Sequence, residues 1–161
     1  MPSPKLAIGV FSFSSCEGCA MEILNLLNEK LPELQEFVEF RYCRTLKEKN
    51  VLEGIDVAFV EGSVSTQKEL DRIREVREKS KRVVAIGGCG INGWPSTQRN
   101  SFEAEKLVEF SELISRYSQL PKILTIPEAI KTDRLIQGCP IRRQEFESVL
   151  LDYAREFGAK K

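Results

Sequence analysis

Residues 14–24 read SSCEGCAMEIL, with Cys16 and Cys19 two residues apart where an apolar, strand-like run gives way to a helix-like pattern. A Cys-x-x-Cys pair just before a helix fits a redox dithiol, whose thiol pKa falls near a helix N-terminus. It fits half of a zinc or iron site equally well. The local sequence leaves all of these open. Cys43, Cys89 and Cys139 bring the total to five cysteines, and the chain contains no histidine. That lack removes Ser-His-Asp and Cys-His nucleophile systems, His-ligated zinc, and most side-chain acid–base catalysis near neutral pH. Cysteine is therefore the first residue type on which to look for chemistry.

The surrounding elements have to position those thiols. LAIGVF (6–11), VEFRYC (38–43), VAFV (57–60), RVVAIG (82–87) and DRLIQG (133–138) are β-branched or aromatic runs bounded by Gly, Pro or charged clusters, which predicts strands. Between them, Ala20, Ile23, Leu24, Leu27 and Leu31 recur at helical spacing, as do Phe146, Val149, Leu150, Tyr153 and Phe157. Thr66 and Glu69 form a T-x-x-E capping box, Asn100 and Glu103 make a weaker start signal before Leu107, Phe110 and Ile114, and Gly158 is a helix stop. Segment 123–130, ILTIPEAI, reads as strand or connector, and Pro121 and Pro127 favour the connector. Strands alternating with helices predict an α/β fold with a flavodoxin-like parallel sheet and helices on both faces.

At 161 residues the chain is expected to form a single domain, 1–161. Its 24 Lys and Arg balance 24 Asp and Glu, so no electrostatic grip on nucleic acid or anionic lipid is expected. There is no basic-then-apolar leader, no twin-arginine segment and no 18-residue apolar run. The expectation is a cytoplasmic chain with no membrane span, in which the five thiols are not paired as disulfides.

In a doubly wound sheet, ligands collect beyond the carboxyl ends of the strands. Cys16 and Cys19 follow the first predicted strand, Cys89 follows RVVAIGG and Cys139 follows DRLIQG, so four thiols arrive from three loops on one edge. Cys43 ends the second strand and reads as a buried, small apolar thiol. Four convergent thiolates can hold zinc or an iron–sulfur cluster. The cluster is favoured because one pair is joined by two isolated cysteines rather than by a second Cys-x-x-Cys. Gly18, Gly87, Gly88, Gly90 and Gly138 would also let backbone N–H groups approach cluster sulfides. Cys139-Pro140 adds to this, with Pro140 fitting the first position of a following helix. Gly88 to Gly93 matches G-x-G-x-x-G, but on the fourth strand and running into Trp94-Pro95, where a dinucleotide fingerprint does not belong.

S-C-E-G-C at 15–19, V-E-G-S-V at 60–64, G-G-C-G at 87–90 and G-C-P at 138–140 together resemble the small subunit of nickel–iron hydrogenases. The same superfamily includes the 20 kDa cluster-carrying subunit of respiratory complex I, from which this chain differs in having C-E-G-C where those subunits have adjacent cysteines. The resemblance implies Cys16, Cys19, Cys89 and Cys139 as ligands of one proximal 4Fe-4S cluster. It further implies a separate large subunit holding the nickel–iron centre. With no twin-arginine leader or further cluster domain read in it, the chain is more similar to the short cytoplasmic type. Such subunits work with further flavin or iron–sulfur subunits toward NAD(P), F420 or ferredoxin. By the same resemblance, hydrogen is split on the large subunit and this chain passes electrons, with no catalytic residue of its own. Glu61 is read either as a strand-end acid capping the next turn or as a polar group beside the cluster. Trp94, with Ile91 and Pro95, is read either as an interface anchor or as a side chain folded over its own loop.

Overall fold

The computed structural model describes residues 4–160. In chain order its main elements are β1 (Leu6–Ser12), α1 (Gly18–Phe37), β2 (Val38–Cys43), β3 (Ile55–Glu61), β4 (Val64–Thr66), α2 (Gln67–Lys79) and β5 (Ser80–Ile86). They continue with α3 (Gly87–Ile91), a 3-10 helix (Ser96–Ser101), α4 (Ala104–Glu109), α5 (Ser111–Arg116), β6 (Gln119–Leu124), α6 (Ile126–Ala129), β7 (Arg134–Ile136) and α7 (Arg143–Glu156). All five strands expected from the sequence form one parallel sheet in the order β2-β1-β3-β5-β7.

Both faces of that sheet are covered, which is why its strands read as apolar runs rather than as alternating ones. Ile8, Val10, Val57, Phe59, Val84 and Ile86 face α1 and α7, where Phe59 meets Phe146 edge-on at 4.8 Å between ring centres. Ala58, Val60, Val83 and Ala85 face Leu70, Ile73 and Val76 of α2. The capping box of α2 is present: Glu69 N–H donates to Thr66 Oγ1 at 3.1 Å, and Thr66 N–H donates back to the Glu69 carboxylate at 3.1 Å. Such a cap is worth about 1 kcal/mol. Glu69 also accepts the Ser14 hydroxyl at 3.0 Å, which ties the loop carrying Cys16 to α2.

Four expectations need correction. Leu31 does not join the core stripe of α1 but is 49% exposed. Lys30 leaves helical geometry at φ −126 ahead of Pro32, whose ring cannot continue the hydrogen-bond ladder, so the phase shifts and Leu34 and Phe37 take the buried positions. Asn100 does not cap a helix; its side chain pairs with the Ile123 backbone in both directions at 2.8 Å. Those bonds help hold β6, so residues 123–130 are the end of a strand antiparallel to β4 and then a helical turn, opened by a second capping box at Thr125 and Glu128. Pro140 is not the first residue of α7, which begins at Arg143. Gly158 does stop α7, in the left-handed region at φ +70. Among the described residues, no helix is long and apolar enough to cross a membrane.

Candidate metal centre

The carboxyl ends of β1, β3, β5 and β7 all open on one edge of the sheet. The loop after β1 is pinned there by paired backbone bonds between Ser14 and Ser63, each 3.0 Å. It carries Cys16 and then Glu17, which takes φ 60, an uncommon conformation for a residue with a side chain, and turns the chain into α1 at Gly18. Cys19 therefore lies in the first turn of α1. Cys89 lies in α3 directly after β5, and Cys139 lies just past β7.

The glycines show how closely these segments meet. A Cβ on Gly87, at φ +80, would stand 2.6 Å from Cys19 Sγ and 3.9 Å from Cys89 Sγ, and one on Gly88 would stand 3.9 Å from Cys139 Cβ. A Cβ on Gly18 would stand 3.3 Å from Cys16 Sγ and 3.9 Å from Pro140 Cβ. Gly88 N–H donates to the Gly138 carbonyl at 2.7 Å and joins the second and third cysteine loops directly. The structure thus brings Cys19, Cys89 and Cys139 to the Gly87-Gly88 turn, with Cys16 beside Cys89 and Cys139 on the wall of one cavity. Cys43 stays apart, buried among Val10, Leu27 and their neighbours on the α1 side of the sheet.

Cys19 is buried, Cys89 partly so, and Cys16 and Cys139 are exposed. Burial pushes the Cys19 thiol up to about 12, against the Ile141 backbone N–H that favours its thiolate; Glu61, Cys89 and Cys139 add repulsion. Burial likewise raises Cys89, opposed by the backbone N–H groups of Gly62 and Gly90. A bound cation would reverse that balance, because ligation requires the thiolate and rewards it. The donor set is all sulfur, backed by backbone N–H groups and shaped by Gly87, where any added side chain would collide with Cys19 Sγ. These features suit an iron–sulfur group. Among the described residues, no three His, Cys, Asp or Glu side chains cluster as they would around one metal ion.

Glu61, at the end of β3, is 1% exposed. Its carboxylate accepts the N–H groups of Cys19 at 3.2 Å and Ala20 at 3.3 Å, and the Ser12 hydroxyl at 2.8 Å. Burial raises its pKa, while those three donors oppose the rise. It caps the first turn of α1, where the side chain at the N-cap position, Glu17, makes no capping bond. Glu61 thus does not cap the turn that follows its own strand; it caps the start of α1 and so anchors the backbone of Cys19. Gly90 is one of the glycines expected to offer a backbone N–H, whereas the Ile141 and Gly62 donors were not identifiable from sequence, because a backbone N–H leaves no residue-type signature.

Ser14, Ser15, Cys16, Cys89, Trp94, Pro95, Ser96 and Cys139 line an open cavity of about 510 Å³. Trp94 is 62% exposed on its rim rather than folded away. Ile91 belongs elsewhere: it packs against the α2-side core and is not part of the exposed edge.

Residues 16–153 match the family model described as NADH ubiquinone oxidoreductase, 20 Kd subunit. The chain is 36% identical over 153 residues to sulfhydrogenase 2 subunit delta of Pyrococcus furiosus, covering 93% of this chain and 62% of that protein. It is 30% identical to one of the subunits of the F420-non-reducing hydrogenase of Methanocaldococcus jannaschii, covering 83% of this chain and 50% of that one. It therefore spans between half and two thirds of the length of these relatives. In structure it resembles a chain of the NAD+-reducing NiFe-hydrogenase in the H2-reduced state, with a TM-score of 0.81, 25% identity and coverage of 94% and 92%.

Proposed function

We propose that this chain, which belongs to the NADH ubiquinone oxidoreductase 20 kDa subunit family, works as the electron-transfer small subunit of a nickel–iron hydrogenase in the cytoplasm. Cys16, Cys19, Cys89 and Cys139 hold one 4Fe-4S cluster. The partner is a large subunit carrying the nickel–iron centre, with further flavin or iron–sulfur subunits beyond it. The observation that carries this reading is the approach of four thiols from three strand-end loops, three at the Gly87-Gly88 turn and Cys16 on the cavity wall it shares with Cys89 and Cys139, with backbone N–H groups directed at Cys19 and Cys89.

Structural zinc is the weaker reading. A zinc ion draws its ligands onto one centre, whereas each cysteine of a cubane cluster binds a different iron, so the thiols need not converge on a point. When bound, the cluster supplies one-electron transfer. The residues of this chain set the conditions for that transfer. Cys19 is held from behind by Glu61 and shielded by the core, while Cys16 and Cys139 sit at the surface. One side of the site is thus dry and fixed, and the other is open to a partner. Trp94 stands at that opening as an aromatic anchor. The names of the relatives place them in sulfhydrogenase and F420-non-reducing hydrogenase complexes, which supports the hydrogenase branch.

Anaerobically purified chain should be brown and contain about four iron and four sulfide. Co-expressed with its large subunit it should support hydrogen-dependent dye reduction, and alone it should not. Stoichiometric zinc without labile sulfide would overturn the cluster, and hydrogen activity in the isolated, nickel-free chain would overturn the electron-transfer role.

A further inference from the structure

The segment that follows the thiol cavity contains a second, different surface. α4 and α5 bury none of their residues, yet they carry Val108 at 72% and Leu113 at 47% exposure, with Tyr117 just beyond them at 62%. Phe102, Phe110, Leu113, Ile114 and Tyr117 line a groove of about 350 Å³, and Arg99 stands in its wall. Single exposed apolar residues are ordinary, but a contiguous set around a groove marks an interaction site.

Arg99 gives that groove a chemical preference. Its guanidinium is fixed by the Leu120 carbonyl and the Gln119 side-chain oxygen, both neutral, and its buried Nε has no hydrogen-bond partner. Burial alone lowers its pKa, with no carboxylate acting on it. A partly desolvated arginine in an apolar wall, bonded only to neutral oxygens, is complementary to a carboxylate presented on an apolar segment.

The 3-10 helix links the groove to the thiol cavity. Ser96 lines the cavity and Arg99 lines the groove. In 3-10 geometry, residues at i and i+3 eclipse, with a rise of roughly 2 Å per residue, so the two stand on the same face of the helix roughly 6 Å apart. The cavity and the groove therefore adjoin across one turn of this helix.

We propose that the groove is a second docking point for the subunit that covers the thiol cavity, and that it receives an apolar segment of that subunit bearing a carboxylate, which pairs with Arg99. The identity of that subunit as a nickel–iron large subunit rests on the function proposed above; the shared face does not. Desolvation on docking strengthens the ion pair, and the apolar side chains exclude water from it.

The test uses the co-expressed complex, with p-benzoylphenylalanine placed at Leu113 in one preparation and at Trp94 in another. After irradiation, both probes should link to the large subunit, the Leu113 probe to a peptide containing Asp, Glu or the chain end. Arg99→Gln should dissociate about thirtyfold faster or more, and Arg99→Lys much less so. Circular dichroism verifies that both variants are folded. A Leu113 probe that links only within this chain overturns the inference, as does an Arg99→Gln complex that dissociates like the parent. A Trp94 probe that reaches the large subunit while the Leu113 probe does not overturns the inference and leaves the electron-transfer reading standing. Two probes that reach the same different protein overturn that reading and uphold the shared face.

Discussion

Gly87→Ala is the sharpest test of the candidate centre, because its cost divides into two separable parts. At φ +80, an L side chain is strained by about 1–2 kcal/mol wherever it occurs. The new methyl would also stand 2.6 Å from Cys19 Sγ. That sulfur has little room to retreat, since Cys19 is buried in the core on the α1 side of the sheet. Overpacking of this kind adds about 1–3 kcal/mol. Gly158→Ala is the matched control: its φ is +70, and the added Cβ meets nothing within 4 Å. For a domain of this size the control should lower Tm by about 2–8 °C. Gly87→Ala should lower it by about 4–20 °C. The more telling difference lies in the metal. After anaerobic reconstitution, Gly158→Ala should carry the iron and sulfide of the parent, and Gly87→Ala should carry a small fraction of it, because the displaced thiol is one of the four proposed ligands. Iron, sulfide and visible absorption per chain give this readout, and calorimetry gives the other. If Gly87→Ala melted with Gly158→Ala and loaded iron fully, the close approach of Gly87 to Cys19 would not be part of the site.

Three further outcomes follow from other parts of the structure. Cys43→Ser should leave iron content unchanged and cost about 1–3 kcal/mol if the buried hydroxyl finds no partner; loss of iron from a folded variant would show that the ligands are assigned wrongly. Trp94→Ala should weaken association with the large subunit by about thirtyfold, with iron content and the isolated chain's Tm close to the parent; an unchanged affinity would remove Trp94 from the interface. Burial pushes the Asp133 carboxyl up, but the Val83 N–H at 2.7 Å and Arg77 at 2.7 Å outweigh it, so its pKa lies below the usual 3.8. A carboxylate lowered by folding contributes stability above its unfolded pKa and loses it as pH falls through the folded one. Asp133→Asn should therefore be less stable than the parent at neutral pH, and the gap should begin to narrow below about pH 4 as the parent's carboxylate is protonated; a gap that did not narrow with acid at all would assign the loss to hydrogen bonding rather than charge.

The sheet was legible in the sequence because its strands are buried on both faces, so Leu6 to Phe11 and Arg82 to Ile86 present dense apolar runs with sharp ends. What escaped was held by partners distant in sequence. β6 contains Pro121 and carries little strand signal of its own; it forms because Val64 pairs with Leu124 and because the Asn100 side chain grips Ile123. Leu31 was misplaced for a local reason: a helical repeat read across Pro32 assumes a phase that the kink resets.

The same distinction separates the thiols from what fixes them. A cysteine announces itself, and its position past a strand end could be read from the order of elements alone. Cys19, however, is fixed from the end of β3, through Glu61, by a bond to its own N–H, while Gly62 just beyond Glu61 directs a backbone N–H at Cys89. Glu61 and Gly62 thus tie together candidate ligands that belong to different loops. The Ser14 and Ser63 backbone pair fastens the first of those loops to the same strand end. Since β3 is the central strand of the sheet, flanked by β1 and β5, the segment that orients the candidate centre is also the one least able to move. Such rigidity would suit the electron-transfer role proposed above, because relaxation of the four candidate ligands on reduction would slow the transfer.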